Sequence, residues 1–205
     1  MTTRVVPSRS LSVVIPAFNE ERRLPATLRE VHSYLCQDEY DFELLVVDDG
    51  SYDGTRQASI QLESELPMLR TIGYAVNRGK GYAVRTGVLS STRDAILFMD
   101  ADHSTPIAEI ESLWPLLGRG YDVAIGSRRM QGSRSVVRQP AHRILMGRIF
   151  HEIISVAGLR GIQDSQCGFK LFRREVAIKL FSTLKTYGFA FDVEMLAVAY
   201  ALGYK

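Results

Sequence analysis

Apolar, β-branched runs recur through the first two thirds of the chain, at residues 11–18, 42–47, 71–76, 95–99 and 121–126. Residues 95–99 are apolar throughout rather than alternating and predict a short strand buried on both faces, as inside a parallel sheet; the other runs are largely apolar and predict strands as well. Residues 20–35, 55–66, 81–91 and 106–117 lie between them and predict helices. Strand–helix alternation of this kind predicts an α/β fold: an open, mostly parallel sheet with right-handed crossovers, flanked by helices. Beyond Arg128 the strand rhythm stops. Residues 131–139 are polar and basic and predict a loop. Residues 140–159 carry Leu145, Ile149 and Ile153 beside Met146, Phe150 and Ile154 at helical spacing, with Pro140 suited to a first turn. Two more helices are predicted at 174–184 and 192–202. The sequence stops at Gly203-Tyr204-Lys205, directly after a predicted helix, which leaves room for a closing strand or an extension.

In open α/β sheets ligands gather beyond the carboxyl ends of the strands, where the strand order switches. The residues at or just after the ends of the five runs are Pro16-Ala17-Phe18-Asn19-Glu20, Asp48-Asp49-Gly50-Ser51, Asn77-Arg78-Gly79-Lys80-Gly81, Asp100-Ala101-Asp102 and Gly126-Ser127-Arg128. Asp100 and Asp102, one residue apart, can share a hard cation such as Mg²⁺ or Mn²⁺, which takes oxygen ligands and keeps sites open for phosphates. Taken alone the pair reads first as an acidic turn capping the next helix; the residues at the other strand ends turn the reading toward a metal. A carboxylate at Asp48 can accept from a base N–H or from ribose hydroxyls, while Gly50 and Gly54 suit a tight turn. Asn77-Arg78-Gly79-Lys80-Gly81 sets cations and amides ahead of a helix, an arrangement suited to phosphate. It lacks the Walker spacing, and no Gly-x-Gly-x-x-Gly follows the first strand, which argues against a P-loop NTPase and a Rossmann dehydrogenase.

Charge adds a second half to this picture. Residues 126–174 hold ten Lys and Arg against two acids, Glu152 and Asp164; the rest of the chain holds fifteen basic residues and twenty-one acidic ones. A basic third beside an acidic two thirds suggests a second task, the grip of an anion, although a solvated basic face would look the same. That patch lacks the interleaved aromatics of a base-stacking surface, so nucleic acid is not expected as a partner. Two cysteines, Cys36 and Cys167, form neither a disulfide framework nor a zinc spacing, and no signal peptide is evident; a reducing cytosol is expected. No apolar run reaches the roughly 18–20 residues of a spanning helix, so any membrane contact is expected to be peripheral.

The ordered set Val14-Ile15-Pro16-Ala17-Phe18-Asn19-Glu20, Val47-Asp48-Asp49-Gly50-Ser51, Asn77-Arg78-Gly79-Lys80-Gly81 and Met99-Asp100-Ala101-Asp102 resembles family-2 glycosyltransferases of the GT-A fold. Gly126-Ser127-Arg128, the basic stretch and Asp164-Ser165-Gln166-Cys167-Gly168-Phe169-Lys170 resemble the polyprenyl-phosphate branch, which includes dolichyl-phosphate β-glucosyltransferases and mannose synthases. The resemblance implies one GT-A domain over residues 1–205, with 1–128 binding the nucleotide sugar and 129–205 the acceptor. It implies an inverting, Mg²⁺- or Mn²⁺-dependent hexosyltransferase on the cytoplasmic face of a membrane. The donor is a nucleotide-diphosphate sugar, UDP-glucose before GDP-mannose, and the acceptor is a polyprenyl phosphate. Pro16, Ala17, Asn19 and Glu20 would line the nucleotide pocket; Asp48 would contact base or ribose with Asp49 in support; Lys80 would lie near the nucleotide. Asp100 and Asp102 would hold the metal at the diphosphate. Arg128 and Arg143, with Arg138 or Arg129, would bind the acceptor phosphate, and Asp164 would stand near the sugar and acceptor, as a base or as a hydrogen-bond partner of sugar hydroxyls, unless it forms a salt bridge with a neighbouring arginine. The 140–159 stretch would either lie at a membrane interface or face the core. His103-Ser104 departs from a frequent pattern in which a glutamine stands two residues after the second Asp, so a third protein ligand, with His103 as a candidate, stays open. Asp192 and Glu194 read equally as helix caps or as the base that relatives with alcohol acceptors require. Oligomeric state is left open. A glycosyltransferase with a soluble or phosphorylated small acceptor would share every donor-side motif. A sugar-phosphate nucleotidylyltransferase would need a glycine-rich loop after the first strand, and a non-catalytic nucleotide-binding module would need no acid pair.

Overall fold

A computed structural model describes residues 9–126 and 167–205. Six strands, β1 (Ser10–Ala17), β2 (Asp41–Asp48), β3 (Leu69–Gly73), β4 (Ala95–Met99), β5 (Val123–Ile125) and β6 (Phe169–Arg173), form one sheet in the order β3-β2-β1-β4-β6-β5. The first four pair in parallel, as the continuous apolar runs predict. Ala17 of β1 stands beside Asp48 of β2, and Asp48 beside Gly73 of β3, so the carboxyl ends of these strands open onto one edge.

Helices cover both faces, and alternation along β1 divides its side chains between them. Val13 and Ile15 join Leu97 against α1 (Leu24–Gln37) and α4 (Ile110–Gly118), including Leu28, Val31, Ile110 and Trp114. Val14 joins Ile96 and Phe98 on the other face, against α3 (Lys80–Ser90), α5 (Arg174–Thr183) and α6 (Phe191–Ala201), including Val84, Val88, Phe181, Phe191 and Met195. α2 (Thr55–Leu62) contributes Leu62 to the first face. α3 lies so close to the sheet that a Cβ on Gly87 would overlap Val14 and press on Val47.

The sheet departs from expectation beyond residue 128. β6 (Phe169–Arg173) was not predicted; it lies antiparallel between β4 and β5 (Val123–Ile125). All five of its residues are buried, including Lys170 and Arg173. Two cations in five residues hide the strand from an apolar-run reading. Each is satisfied internally: Arg173 donates to the carbonyls of Leu117 and Tyr121, and Lys170 has a carboxylate partner described below. Shorter corrections concern boundaries. α1 begins at Leu24 rather than residue 20, because Glu20 O accepts from Arg23 and Leu24 amides in a turn and Pro25 occupies the first helical turn. β3 ends at Gly73, and the residues up to Gly79 fold back under Asp49. Among the described residues no helix is long and apolar enough to cross a membrane.

Candidate active site

The strand order reverses between β1 and β4: from β1 the chain builds outward through β2 to β3, then returns to β1's other side. The crevice at this reversal is where an open α/β sheet binds its ligand. Its walls are the segments after β1, β2 and β4.

The β1 and β2 segments hold each other. Asn19 takes a left-handed conformation, φ 57°, which asparagine tolerates better than most residues. Its amide donates to Ser51 Oγ at 3.0 Å, and its Oδ1 accepts from the Tyr52 amide at 2.9 Å. The Glu20 amide donates to Thr55 Oγ1 at 2.7 Å. Pro16 and Ala17 are buried at the end of β1, and the Ala17 carbonyl accepts from the Asp49 amide at 2.8 Å. Phe18 and Tyr52, both exposed, meet edge to face at 5.7 Å.

Adjacent aspartates at the end of β2 have different tasks. Asp48 is buried, with Oδ1 3.3 Å from the Ser51 amide. Asp49 is also buried, and its carboxylate receives four donors: Tyr74 OH at 2.7 Å, and Asn77 Nδ2 with the amides of Arg78 and Gly79, each at 2.9 Å. Asp49 therefore organises the loop that leads to Lys80. The Asn77–Gly81 amides were expected to face a phosphate, and the structure corrects this. Arg78 and Gly79 donate to Asp49, while Gly81 donates to the Tyr187 carbonyl at 2.8 Å, which Tyr82 also approaches at 3.3 Å. The peptide ahead of α6 thus covers the start of α3, and the loop's offering to the crevice is its lysine. Lys80 Nζ stands 2.7 Å from Asp100 Oδ1, over the ring of Phe98 at 5.3 Å and that of Phe189 at 5.9 Å.

Asp100 and Asp102 follow β4. The Asp100 side chain is one-quarter exposed, and Asp102, whose Oδ1 accepts from the Ser104 amide at 3.0 Å, is exposed. Glu20 lies near both: burial pushes its carboxyl up, Arg23 opposes that, and the charges of Asp102 and Asp100 add to it. Among the described residues no cluster of three or more His, Cys, Asp or Glu could hold a metal. The pair instead has the character of a site for a hard cation that takes one or two carboxylates and completes its shell with substrate phosphates and water. The residues fit that group. His103 does not join them; its Nε2 lies 3.2 Å from Glu30 Oε1 on α1, and its own backbone is left-handed at φ 53°.

Below the pair lies what the sequence did not disclose. Lys170 Nζ is 2.6 Å from Asp192 Oδ1, both side chains being almost wholly buried, and it also donates to the Cys167 carbonyl at 2.6 Å. Burial pushes the Asp192 carboxyl up, and the Lys170 ammonium opposes the push. Neither acid at the start of α6 caps its own helix: Asp192 pairs with Lys170, and Glu194 accepts from the Lys185 and Thr186 amides at 2.9 and 2.7 Å. A lone lysine inside Phe169–Phe172 was the available signal. Arg128, Arg143 and Asp164, with Arg129, Arg138 and the 131–139 and 140–159 segments, lie outside the described residues.

Comparison with known proteins agrees with this architecture. The chain is 38% identical to human dolichyl-phosphate beta-glucosyltransferase over 94% of its length, 37% identical to the mouse protein over 96%, and 37% identical to the Saccharomyces cerevisiae protein over 92%. It spans 64%, 64% and 62% of those relatives. Its fold matches glucosyl-3-phosphoglycerate synthase from Mycobacterium tuberculosis: TM-score 0.71 at 21% identity for a complex with Mn²⁺, UDP and phosphoglyceric acid, covering 95% of this chain and 65% of that one. A UDP complex of the same enzyme gives 0.70 at 22%, covering 95% and 66%. These likenesses identify the sheet and its helices as the GT-A fold. Residues 12–181 match the profile of "Glycosyl transferase family 2", and the chain belongs to that family.

Proposed function

We propose that this chain is the transferase domain of an inverting glucosyltransferase that moves glucose from UDP-glucose to a dolichyl-type polyprenyl phosphate, using Mg²⁺ or Mn²⁺. The observation that carries the reading is the 38% identity with human dolichyl-phosphate beta-glucosyltransferase across 94% of the chain. Asp192 supports it. An alcohol acceptor needs a base, and the acid at the start of α6 is committed to Lys170 at 2.6 Å. A phosphate acceptor is already ionised at neutral pH and needs none. Its oxygen attacks C1 of glucose, the bond from C1 to the nucleoside diphosphate breaks, and the leaving group takes the electron pair, with no proton removed.

The residues divide that work. Asp48 and the Asn19–Ser51 junction shape the place for the nucleoside, with Pro16, Ala17 and Glu20 forming its wall and Asp49 fixing the loop behind it. Lys80 is set to meet diphosphate oxygens from its place beside Asp100. Asp100 and Asp102 would hold the divalent ion, which when bound stabilises charge on the departing diphosphate. Arg128 and Arg143 would grip the acceptor phosphate, for which the planar guanidinium fork is suited, and Asp164 would bind sugar hydroxyls. Peripheral contact with the cytoplasmic face of a membrane belongs to this reading.

Purified protein incubated with Mg²⁺ or Mn²⁺, UDP-glucose or GDP-mannose, and either polyprenyl phosphate or 3-phosphoglycerate tests it. Glucosyl lipid from UDP-glucose is expected; transfer to 3-phosphoglycerate alone would overturn the lipid assignment. Asp102→Ala, at an exposed position, is expected to fold and to lose transfer. Undiminished transfer by that variant refutes the metal site.

A further inference from the structure

β6 begins against the first of the two acids. The Asp100 amide donates to the Gly168 carbonyl at 3.0 Å, which places residue 168 directly beside Asp100. A Cβ on Gly168 would overlap the Asp100 carboxylate; the three atoms nearest to it are Oδ2, Cγ and Oδ1 of that residue. Gly168 does not occupy the left-handed region, unlike Gly50 or Gly79, so its backbone conformation is open to other residues. What requires glycine here is the space taken by the carboxylate. Any larger residue would be accommodated by turning Asp100 away, and Asp100 is the residue that meets Lys80 at 2.7 Å.

Lys170, two residues further along β6, holds this approach in place. Its ammonium joins the Cys167 carbonyl to Asp192 of α6, and it sits 5.5 Å from the centre of the Phe98 ring. Lys80 lies over the same ring at 5.3 Å. The backbone ahead of Gly168 is therefore tied to a helix on one side, while Phe98, two residues before Asp100, contacts both lysines.

We propose that Gly168 is a positioning residue for Asp100, resting on the reading of Asp100 and Asp102 as the metal–diphosphate pair. Its missing side chain is the space in which the carboxylate stands, and the Lys170–Asp192 pair keeps that space beside β4. Outer partners of metal-binding carboxylates typically change metal affinity by about 10–100-fold when altered.

Four proteins decide it: wild type, Gly168→Ala, Asp100→Ala and the double variant. Each is measured by thermal unfolding and by calorimetric titration with UDP, and wild type also with GDP, with and without Mn²⁺. Gly168→Ala is expected to lose at least about tenfold in Mn²⁺-dependent UDP affinity, keep its metal-free UDP affinity and lower Tm. In the Asp100→Ala background the same change should leave Tm where it is, because the obstructing carboxylate is gone. Wild-type Mn²⁺-dependent affinity in Gly168→Ala, or an equal drop in Tm in both backgrounds, overturns the positioning role and leaves the proposed function standing. If wild type gains no affinity for UDP or GDP from Mn²⁺, the reading of the acid pair fails instead. The two Tm differences then still decide whether Gly168 makes room for Asp100.

Discussion

Replacing Lys170 with methionine tests how the interior below the acid pair is held. Lys170 is fully buried, Asp192 nearly so, and 2.6 Å separates their charged atoms. Methionine fills much the same volume but leaves Asp192 without its counter-ion. Removing one partner of a buried pair costs about 3–5 kcal/mol, because the remaining charge is uncompensated, whereas replacing both by apolar residues is often close to neutral. For a chain of this length each kcal/mol corresponds to about 2–4 °C in Tm, so a fall of about 6–20 °C is expected. The deficit has a definite pH dependence. Burial raises the folded-state Asp192 carboxyl above its ordinary value, and Lys170 acts against that rise, so loss of the lysine raises it further. A raised carboxyl contributes its stability fully below the unfolded value, about 3.9, and loses it as pH rises through the folded value. Lys170→Met should therefore lie closer to wild type in acid than at neutral pH. Lys170→Met/Asp192→Leu should recover most of the loss. Urea midpoints at constant m-value, taken in acid and at neutral pH, measure this. A neutral-pH deficit below about 1 kcal/mol, or one that grows on acidification, refutes the account of the pair.

Two further outcomes follow from carboxylates elsewhere. Asp49→Ala removes the acceptor of four donors, so a loss of about 3 kcal/mol in chemical unfolding and weaker UDP binding by calorimetry are expected, since hydrogen bonds to a charged group count for about 1.5–3 kcal/mol each and are not additive. Burial pushes Glu43 up, but hydrogen bonds from the Ser12 hydroxyl and from the Thr92 amide and hydroxyl outweigh it and hold the carboxyl below its ordinary value. Its contribution is therefore present above about pH 4.3 and lost as pH falls through the folded value, so Glu43→Gln should flatten the acid limb of a urea-midpoint profile; an unchanged limb would contradict this.

The parts legible in the sequence are those whose physics is local. Residues 95–99 read as a buried strand because each side chain is apolar, and each is buried; β1 is buried throughout and apolar apart from Ser10 and Ser12, and β2 is buried from Leu44 onward. The candidate site was legible because a parallel sheet places all its strand ends on one edge, whatever the details of each turn. What was not legible depends on partners distant in sequence. The amides of Asn77–Gly81 read as a phosphate cradle only until Asp49, about thirty residues earlier, and Tyr187, over a hundred later, are seen to engage them. β6 was concealed by its own cations. Yet Lys170 and Arg173 carried a clue: a charge inside an otherwise apolar run either ends the strand or has a buried partner, because an unpaired one is too costly to keep. The same inference runs forward from Asp192. An acid flanked by Phe191 and Val193 at the start of an apolar helix is open to two readings, and only the distance to Lys170 decides between a free base and a committed counter-ion. That choice bears on chemistry, since a counter-ion cannot take a proton from an acceptor without exposing a buried ammonium. An acceptor phosphate that arrives already ionised, as in the proposed function, would ask no proton transfer of Asp192.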